Sequence, residues 1–241
     1  AVTDGGGCSP NVVQSKASVL YMVRSPQVKK AVELQKRVDD IAAGAALMTG
    51  TTCERKFIDG VAETIPNHVL EALLYQNFAE VGVPQHTSQE MTFAAELAAT
   101  YDAGGHIPGS GSENADYAAQ VKTLLPGSAM NDVLLPLFTG EAFCPGSTDV
   151  GDVSWQCPTA QLHVASWPNG CPGHSWQNVS CGKTSIGHKA AITAGKVLCA
   201  AAIDLLEQPE LIAAAKTEFA GRTAESYTCP IPPEAVPTIP D

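Results

Sequence analysis

The chain has 241 residues, enough for one large domain or two modest ones. Its net charge of -11 and pI of about 4.9 predict repulsion from phosphate backbones and anionic lipids, which excludes nucleic acid and membrane surfaces as expected partners. With 44% hydrophobic and 16% charged residues, the composition is that of an ordinary globular protein able to build a sizeable core.

The first third of the sequence predicts a strand, a helix and a second strand. Residues 16–24, KASVLYMVR, are β-branched and aromatic-rich, which is typical of a strand. Ser25 and Pro26 suit the start of a helix with apolar residues at helical spacing, and Gly50 suits its end. Residues 51–63 predict the second strand. Together these elements form about half of a ferredoxin-like α+β unit.

The rest of the chain predicts mainly helices. Asn67 is a good N-cap for a helix that Gly82 ends, and Ser88 is the expected cap of a helix over 88–101. We place the domain boundary at Pro66, giving domains 1–66 and 67–241. The further expected elements are a loop over 102–113, a short helix over 114–125, irregular chain over 126–160, a strand over 159–166, a loop over 167–183, a long helix from Thr184 to about Glu207, a helix after Pro209, and an extended Pro-rich tail.

Cysteine usage and the chain start favour a cytosolic protein. The opening AVTDGGGCSP lacks the charged and apolar regions of a secretion signal, and no run of about 18 apolar residues occurs. We therefore expect a cytoplasmic location and reduced, mostly buried thiols, with a secreted disulfide framework as the alternative. The eight cysteines are Cys8, Cys53, Cys144, Cys157, Cys171, Cys181, Cys199 and Cys229.

Several residues are candidates for a site. His174 lies in CPGHSWQ, a Gly-Pro loop between a predicted strand and a helix, where ligand-binding side chains collect. Arg24 could hold a carboxylate through two parallel hydrogen bonds, and it lies in a mildly basic segment, 1–56, that suits an anionic small molecule. Asp149 and Asp152 could serve a site or form local turns. Taken alone, Asn11 suits a turn and His188 suits a polar position near a helix start.

Some familiar motifs are absent from the sequence. CGKTS at 181–185 resembles the end of a phosphate-binding loop, but Gln177 stands where that loop needs its first glycine. There is no G-x-S-x-G nucleophile elbow and no H-E-x-x-H pair. The sequence therefore favours neither a nucleotide-binding loop nor a serine hydrolase.

Three blocks in this order carry a resemblance to a known family: GGGCSPNVVQSKASVLYMVRSP, GSTDVGDVSWQCPTAQL and CPGHSWQNVSCGKTSIGHKA. Together they resemble the metal-dependent amidohydrolases of the aminoacylase/carboxypeptidase class. The resemblance implies an α/β fold, with the closing part of a zinc-peptidase-like catalytic domain and part of a ferredoxin-like lid or dimerisation domain. It also implies hydrolysis of an amide of an amino acid by two divalent metal ions, zinc or manganese, that activate a water.

The resemblance implies roles for individual residues. His174 matches the last metal ligand of the family, whereas Asn11 and Arg24 match lid residues that contact the substrate carboxylate. The general-base Glu and the other metal ligands match positions before this chain begins, so we expect no catalytic residue, no tightly bound metal and no activity in this chain alone. A loop lining the substrate pocket is matched by Gly146, Ser147, Thr148 and Asp149.

Two classes of function stay open from the sequence. The first is part of an amidohydrolase acting on a small amide with a free carboxylate, as a homodimer or paired with a related subunit. The alternative is a non-catalytic module that binds an anionic small molecule or mediates dimerisation, which Arg24 and the basic first third would serve equally well. Metal analysis of the whole protein distinguishes them, because a binding module needs no metal.

Overall fold

The computed structural model describes residues 1–102, 115–124, 127–138, 140, 146–225 and 227–235. These residues are mostly helical, with one small antiparallel sheet. None of the helices within those ranges is long and apolar enough to cross a membrane. The elements are β1 (Val2–Asp4), β2 (Ser18–Val19), α1 (Val28–Thr49), α2 (His68–Val81), α3 (Ser88–Ala98), α4 (Ala115–Leu124), α5 (Val150–Ser154), α6 (Trp176–Cys181), α7 (Ser185–Glu207) and α8 (Pro209–Arg222).

The chain divides into two compact units, and neither is one continuous segment. Unit 1 consists of 1–63, 145–152 and 228–241, and unit 2 of 64–144 and 153–227. The assignment of 1–66 to a lid and 67–241 to a catalytic domain stays a prediction, because compactness alone gives a unit no role. The predicted loop over 102–113 falls, apart from its first residue, outside the described residues.

The sheet of unit 1 is much smaller than the sequence predicted. Of the strand predicted over 16–24 only Ser18–Val19 forms, and it pairs antiparallel with β1. Reciprocal bonds of 2.8 Å between Ala1 and Leu20 continue the pairing by one step. Residues 51–63, predicted as a strand, have no strand structure. A strand needs a neighbour to satisfy its backbone groups, and a ladder this short supplies one for only a few residues.

Helix α1 begins two residues later than Ser25-Pro26 suggested. Its N-cap is Gln27, which makes no side-chain capping bond. Instead, the Glu63 carboxylate accepts a hydrogen bond from the Val28 N–H at 2.9 Å, so a distant acid satisfies an unpaired donor at the helix start. The predicted end is confirmed, since Gly50 adopts the left-handed conformation, with φ of 65°.

Unit 2 has its core where α2 packs against α7. The residues 159–166, predicted as a strand, form no ladder, although their alternate side chains do face the core. The predicted alternation is present, but no neighbouring strand lies within the described residues to pair with it. The buried cluster consists of Leu73, Leu74, Phe78, Val197 and Ala201, and Ala160, Leu162 and Val164 pack against it.

The start of α2 is fixed by its predicted cap and by α8. Asn67 is 1% exposed, and its Oδ1 accepts from the Leu70 N–H at 3.1 Å. Its Nδ2 donates to the Ala215 carbonyl of α8 at 2.9 Å. The Glu218 carboxylate of α8 accepts from the N–H groups of His68 and Val69, at 3.0 and 3.1 Å. These bonds lower the pKa of Glu218 despite its partial burial.

Helix α3 corrects one predicted cap. Thr87, rather than Ser88, is the N-cap, and with Glu90 it forms a reciprocal capping box. The helix ends at Ala98 instead of residue 101. The predicted start of α7 is confirmed, because the Thr184 hydroxyl caps Gly187. The short helices α5 and α6 lie in segments predicted as irregular chain or loop; both have fewer than seven residues, too few for a helical period to appear.

Candidate functional site

His174 lies in an exposed turn of unit 2, directly before α6. Its φ is 55°, and no other residue apart from glycines has a positive φ in the described part of the chain. A side chain with a Cβ atom is disfavoured in this left-handed region, and such positions collect at functional sites. The conformation is therefore an observation, independent of any sequence pattern, that favours a functional role for His174.

Hydrogen bonds fix the turn that carries His174 on both sides. The Ser175 hydroxyl donates to the Pro172 carbonyl at 2.6 Å and accepts from the Asn178 N–H at 3.2 Å, so it closes the turn and caps α6. Gln177 of α6 is buried, and its Nε2 donates to the Thr100 hydroxyl at 3.3 Å. These bonds fix the backbone around the His174 imidazole, while the residue itself is open to solvent.

The opposite side of α6 is apolar and exposed. Cys181 is fully buried, and together with Gln177 it forms the buried side of the helix. Trp176 and Val179, one turn apart on the other side, are 62% and 75% exposed. Exposed apolar side chains next to a candidate ligand are typical of a surface that another group covers.

Asn11 and Arg24 lie in unit 1 and are exposed. Asn11 Oδ1 accepts from the Ser9 hydroxyl at 2.5 Å, a local bond that suits a turn residue. The Arg24 Nε donates to the Met22 sulfur at 3.1 Å. Both side chains are open to solvent, and their predicted contact with a substrate carboxylate stays a prediction.

The segment 146–149 is an exposed turn of unit 1 that leads into α5. Thr148 donates to Asp149 Oδ1 and accepts from the Val150 N–H, both at 3.3 Å, which is local turn chemistry. Asp152 Oδ2 accepts from the Ala62 N–H at 3.2 Å. Of the two aspartates that the sequence left undecided, Asp152 therefore fixes the chain, whereas Asp149 keeps an exposed carboxylate.

A complete metal site is not present in the described residues: no group of three or more His, Cys, Asp or Glu side chains is placed to hold an ion. A structural or catalytic zinc needs at least three protein ligands. His174 lies in one compact unit, and Asn11, Arg24 and Asp149 lie in the other. Within these ranges, His174 is therefore not part of a ligand set large enough to hold an ion.

A buried charged cluster between α3 and α7 was missed from the sequence. The Glu90 carboxylate accepts from Lys189 Nζ at 2.7 Å, from the Ser185 hydroxyl at 2.5 Å and from the Thr87 N–H at 2.6 Å. These bonds, Lys189 first, lower the pKa of Glu90 to about 2. The T-x-x-E spacing of a capping box at 87–90 was the signal that would have marked Glu90 as more than surface charge.

His86 lies beside this cluster. Its side chain is 2% exposed, and its Nδ1 is 4.0 Å from Glu90 Oε2. Burial lowers the pKa of the ring and outweighs the opposing effect of the Glu90 charge. No sequence pattern distinguishes this histidine from the other five.

The curated proteins that are similar to this chain are named as a hydrolase and as dipeptidases. The chain is 37% identical over 247 aligned positions, 99% of its length, to a subunit of the p-aminobenzoyl-glutamate hydrolase of Escherichia coli (strain K12). It is 23% identical over 90% of its length to Xaa-Arg dipeptidase of Homo sapiens. The Mus musculus Xaa-Arg dipeptidase is 30% identical over 34% of the chain.

The chain spans half the length of the Escherichia coli protein and 39% of the human one. The predicted resemblance is confirmed, and the coverage is consistent with a C-terminal portion of such a protein. No family model and no solved structure matches the chain.

Proposed function

We propose that this chain is the C-terminal portion of a metal-dependent amidohydrolase that cleaves an amide of an amino acid with a free carboxylate, such as p-aminobenzoyl-glutamate. The observation that carries the proposal is the strained, exposed His174 in a sequence that is similar over 99% of its length to a hydrolase of that substrate. On this interpretation residues 1–66 are part of a ferredoxin-like lid, and residues 67–241 are the closing part of a zinc-peptidase-like α/β catalytic domain.

His174 would hold one of two divalent ions, zinc or manganese, and Asn11, Arg24 and the 146–149 loop would bind the substrate. A bound divalent ion supplies an activated water and polarises a carbonyl. This chain contributes the positioning: the Ser175 bonds hold the His174 backbone, and the Arg24 guanidinium can pair with a carboxylate. The remaining ligands belong to other residues, because the described ones hold no complete set.

The experiment compares four proteins for metal content and for hydrolysis of p-aminobenzoyl-glutamate. The 241-residue chain alone should bind no catalytic metal tightly and show no turnover. The longer protein that contains it should do both, and His174→Ala in that protein should remove most of the activity. His188→Ala is the matched control, since His188 is also exposed and near a helix start. Activity of the isolated chain, or an unaffected His174→Ala variant, refutes the proposal.

A second candidate is a dimerisation module with no catalytic role. Unit 1 favours it, because α1 has no buried residue and its Leu47 and Met48 are 84% and 83% exposed. Tyr21 and Met22 are 69% and 74% exposed. Exposed apolar residues in this number mark an interaction surface. Sedimentation of the chain should then show a dimer that Leu47→Glu converts to monomer, with no dependence on added metal.

A further inference from the structure

The connector between α2 and α3, residues 82–87, carries a buried imidazole ring that makes no hydrogen bond within the described residues. His86 Nδ1 and Nε2 are both buried, and neither makes a hydrogen bond to any residue that the structure describes. Nearly all buried polar groups in folded proteins are paired, so an unpaired imidazole is held by its surroundings and not by its own bonds. The connector therefore depends on His86 staying neutral.

Three charged groups face this ring from three different elements. They are Glu90 of α3, Lys189 of α7 and Asp132 of the 131–138 segment. The Glu90 oxygen nearest the ring, Oε2, already accepts from Lys189 Nζ at 2.7 Å and from the Thr87 N–H at 2.6 Å. A proton on His86 would place a second cation beside an oxygen whose charge Lys189 already neutralises.

Lys189 also holds the connector itself. Its Nζ donates to the Gln85 carbonyl at 2.9 Å, so one ammonium joins α7 to Gln85 and to Glu90. The same connector and α7 line an open depression of about 270 Å³, with Gly82, Gln85 and Lys196 on its walls. Opening of the connector would change the shape of this depression.

We propose that residues 82–87 form an acid-sensitive latch: neutral His86 lets the connector close on α7, and protonation of His86 opens it. In the closed position both ring nitrogens are shielded from solvent, so an imidazolium there would lose its hydration, which the open position restores. The protonated His86 ring moves out of the closed position because it finds no free acceptor there: the Glu90 carboxylate already accepts hydrogen bonds from Lys189, Ser185 and Thr87. Glu90 stays ionised in this pH range, since its pKa is about 2.

The direction follows from linkage. Burial lowers the pKa of His86 in the closed state below its ordinary value of 6.5, which the open state restores. Closure is therefore fully stable above about pH 6.5 and weakens as the pH falls below it. Between about pH 7.5 and about pH 5.5, protonation of the open state should raise the opening equilibrium by at most about tenfold, the limit reached when the closed state takes up no proton.

Hydrogen exchange of the 241-residue chain tests the latch. After correction for intrinsic exchange, the amides of residues 85–91 should exchange faster at about pH 5.5 than at about pH 7.5, by up to about tenfold. His86→Phe, a ring of similar size that cannot titrate, should abolish this rise. His188→Gln, a change at an exposed histidine of α7, should leave it intact. An equal rise in His86→Phe, or a flat profile in the wild type, overturns the proposal.

A second measurement covers the case in which His86→Phe fails to fold. The ring C–H resonances of His86 in the wild-type chain, followed by NMR, should titrate with a midpoint below 6.5 together with shifts in the connector. A midpoint at or above 6.5, or titration without any change at residues 82–87, overturns the latch.

Discussion

Lys189 Nζ lies 2.7 Å from Glu90 Oε2, and this contact joins α7 to α3 through two residues that are 99 positions apart in sequence. The Glu90 side chain is 9% exposed and that of Lys189 35%. A carboxylate this buried is stable only when its hydrogen bonds are satisfied, which makes the pair a fixed point between α3 and α7.

Replacing Lys189 by Met should destabilise unit 2 by about 1–2 kcal/mol, because the buried carboxylate keeps its Ser185 and Thr87 bonds but loses its cation. Urea denaturation at neutral pH measures the change. Lys196→Met is the control, since Lys196 is exposed on the same helix. A Lys189 variant as stable as the control would contradict the assigned role.

The pKa of Glu90 also predicts how the stability difference between wild type and Lys189→Met changes in acid. The pKa of Glu90 is lowered from 4.5 to about 2, so its contribution is complete above about pH 4.5 and lost as the pH falls toward 2. The stability gap between wild type and Lys189→Met should therefore narrow across this range. A gap that stays constant down to about pH 2 would mean that Glu90 is not the group stabilised by Lys189.

Asn67→Ala should cost about 1–3 kcal/mol. The change removes the cap of α2 and leaves the Ala215 carbonyl of α8 without its donor. Asn67→Asp keeps the capping oxygen but places a buried carboxylate oxygen against the Ala215 carbonyl, so its cost should be at least as large. Thermal unfolding followed by circular dichroism compares the two. Equal stability of Asn67→Ala and wild type would contradict this assignment.

Gly151→Ala should destabilise unit 1, because a Cβ atom there would overlap the Ala62 carbonyl oxygen. That backbone atom cannot move without disturbing the chain beside the Asp152–Ala62 bond. Gly44→Ala, in the middle of α1 with nothing within 4 Å, should instead stabilise by about 0.5–1 kcal/mol. The two substitutions should change the free energy of unfolding, relative to wild type, in opposite directions. Two changes of the same sign would argue against the contact between Gly151 and Ala62.

His174→Gly should raise stability by up to about 1 kcal/mol, because glycine adopts a φ of 55° without strain. His174→Ala removes the same imidazole but keeps the Cβ atom, so it should give no gain. If the residue serves a metal, both variants of the longer protein should lose activity equally. A stability gain in His174→Ala as large as that of the glycine variant, measured by urea denaturation, would argue against backbone strain.

Thiol counting in denaturant without reductant should give eight free thiols. The structure describes seven of the cysteines, and each of them is free; Cys144 falls outside the described residues. The prediction of mostly buried thiols was wrong for five of these seven, which are exposed, so rapid reaction of several thiols in the folded chain is also expected. A count well below eight would favour the disulfide alternative.

Local patterns determined much of unit 2 from the sequence alone. Asn67, Gly82 and Thr184 marked helix ends correctly, because a cap depends on a few neighbouring residues. The order of the three sequence blocks also led to the hydrolase resemblance that the comparison confirmed. The individual site roles of Asn11, Arg24, 146–149 and His174 stay predictions.

Only the tertiary structure decided what depends on contacts between distant residues. Only Ser18–Val19 forms a strand among the three segments predicted as strands, which are 16–24, 51–63 and 159–166. A strand exists only where another strand satisfies its backbone groups. The cluster around Glu90 brings together α3 and α7, which no local pattern relates. Likewise, the burial of His86 and the left-handed backbone of His174 follow from packing around each residue, which sequence spacing does not record.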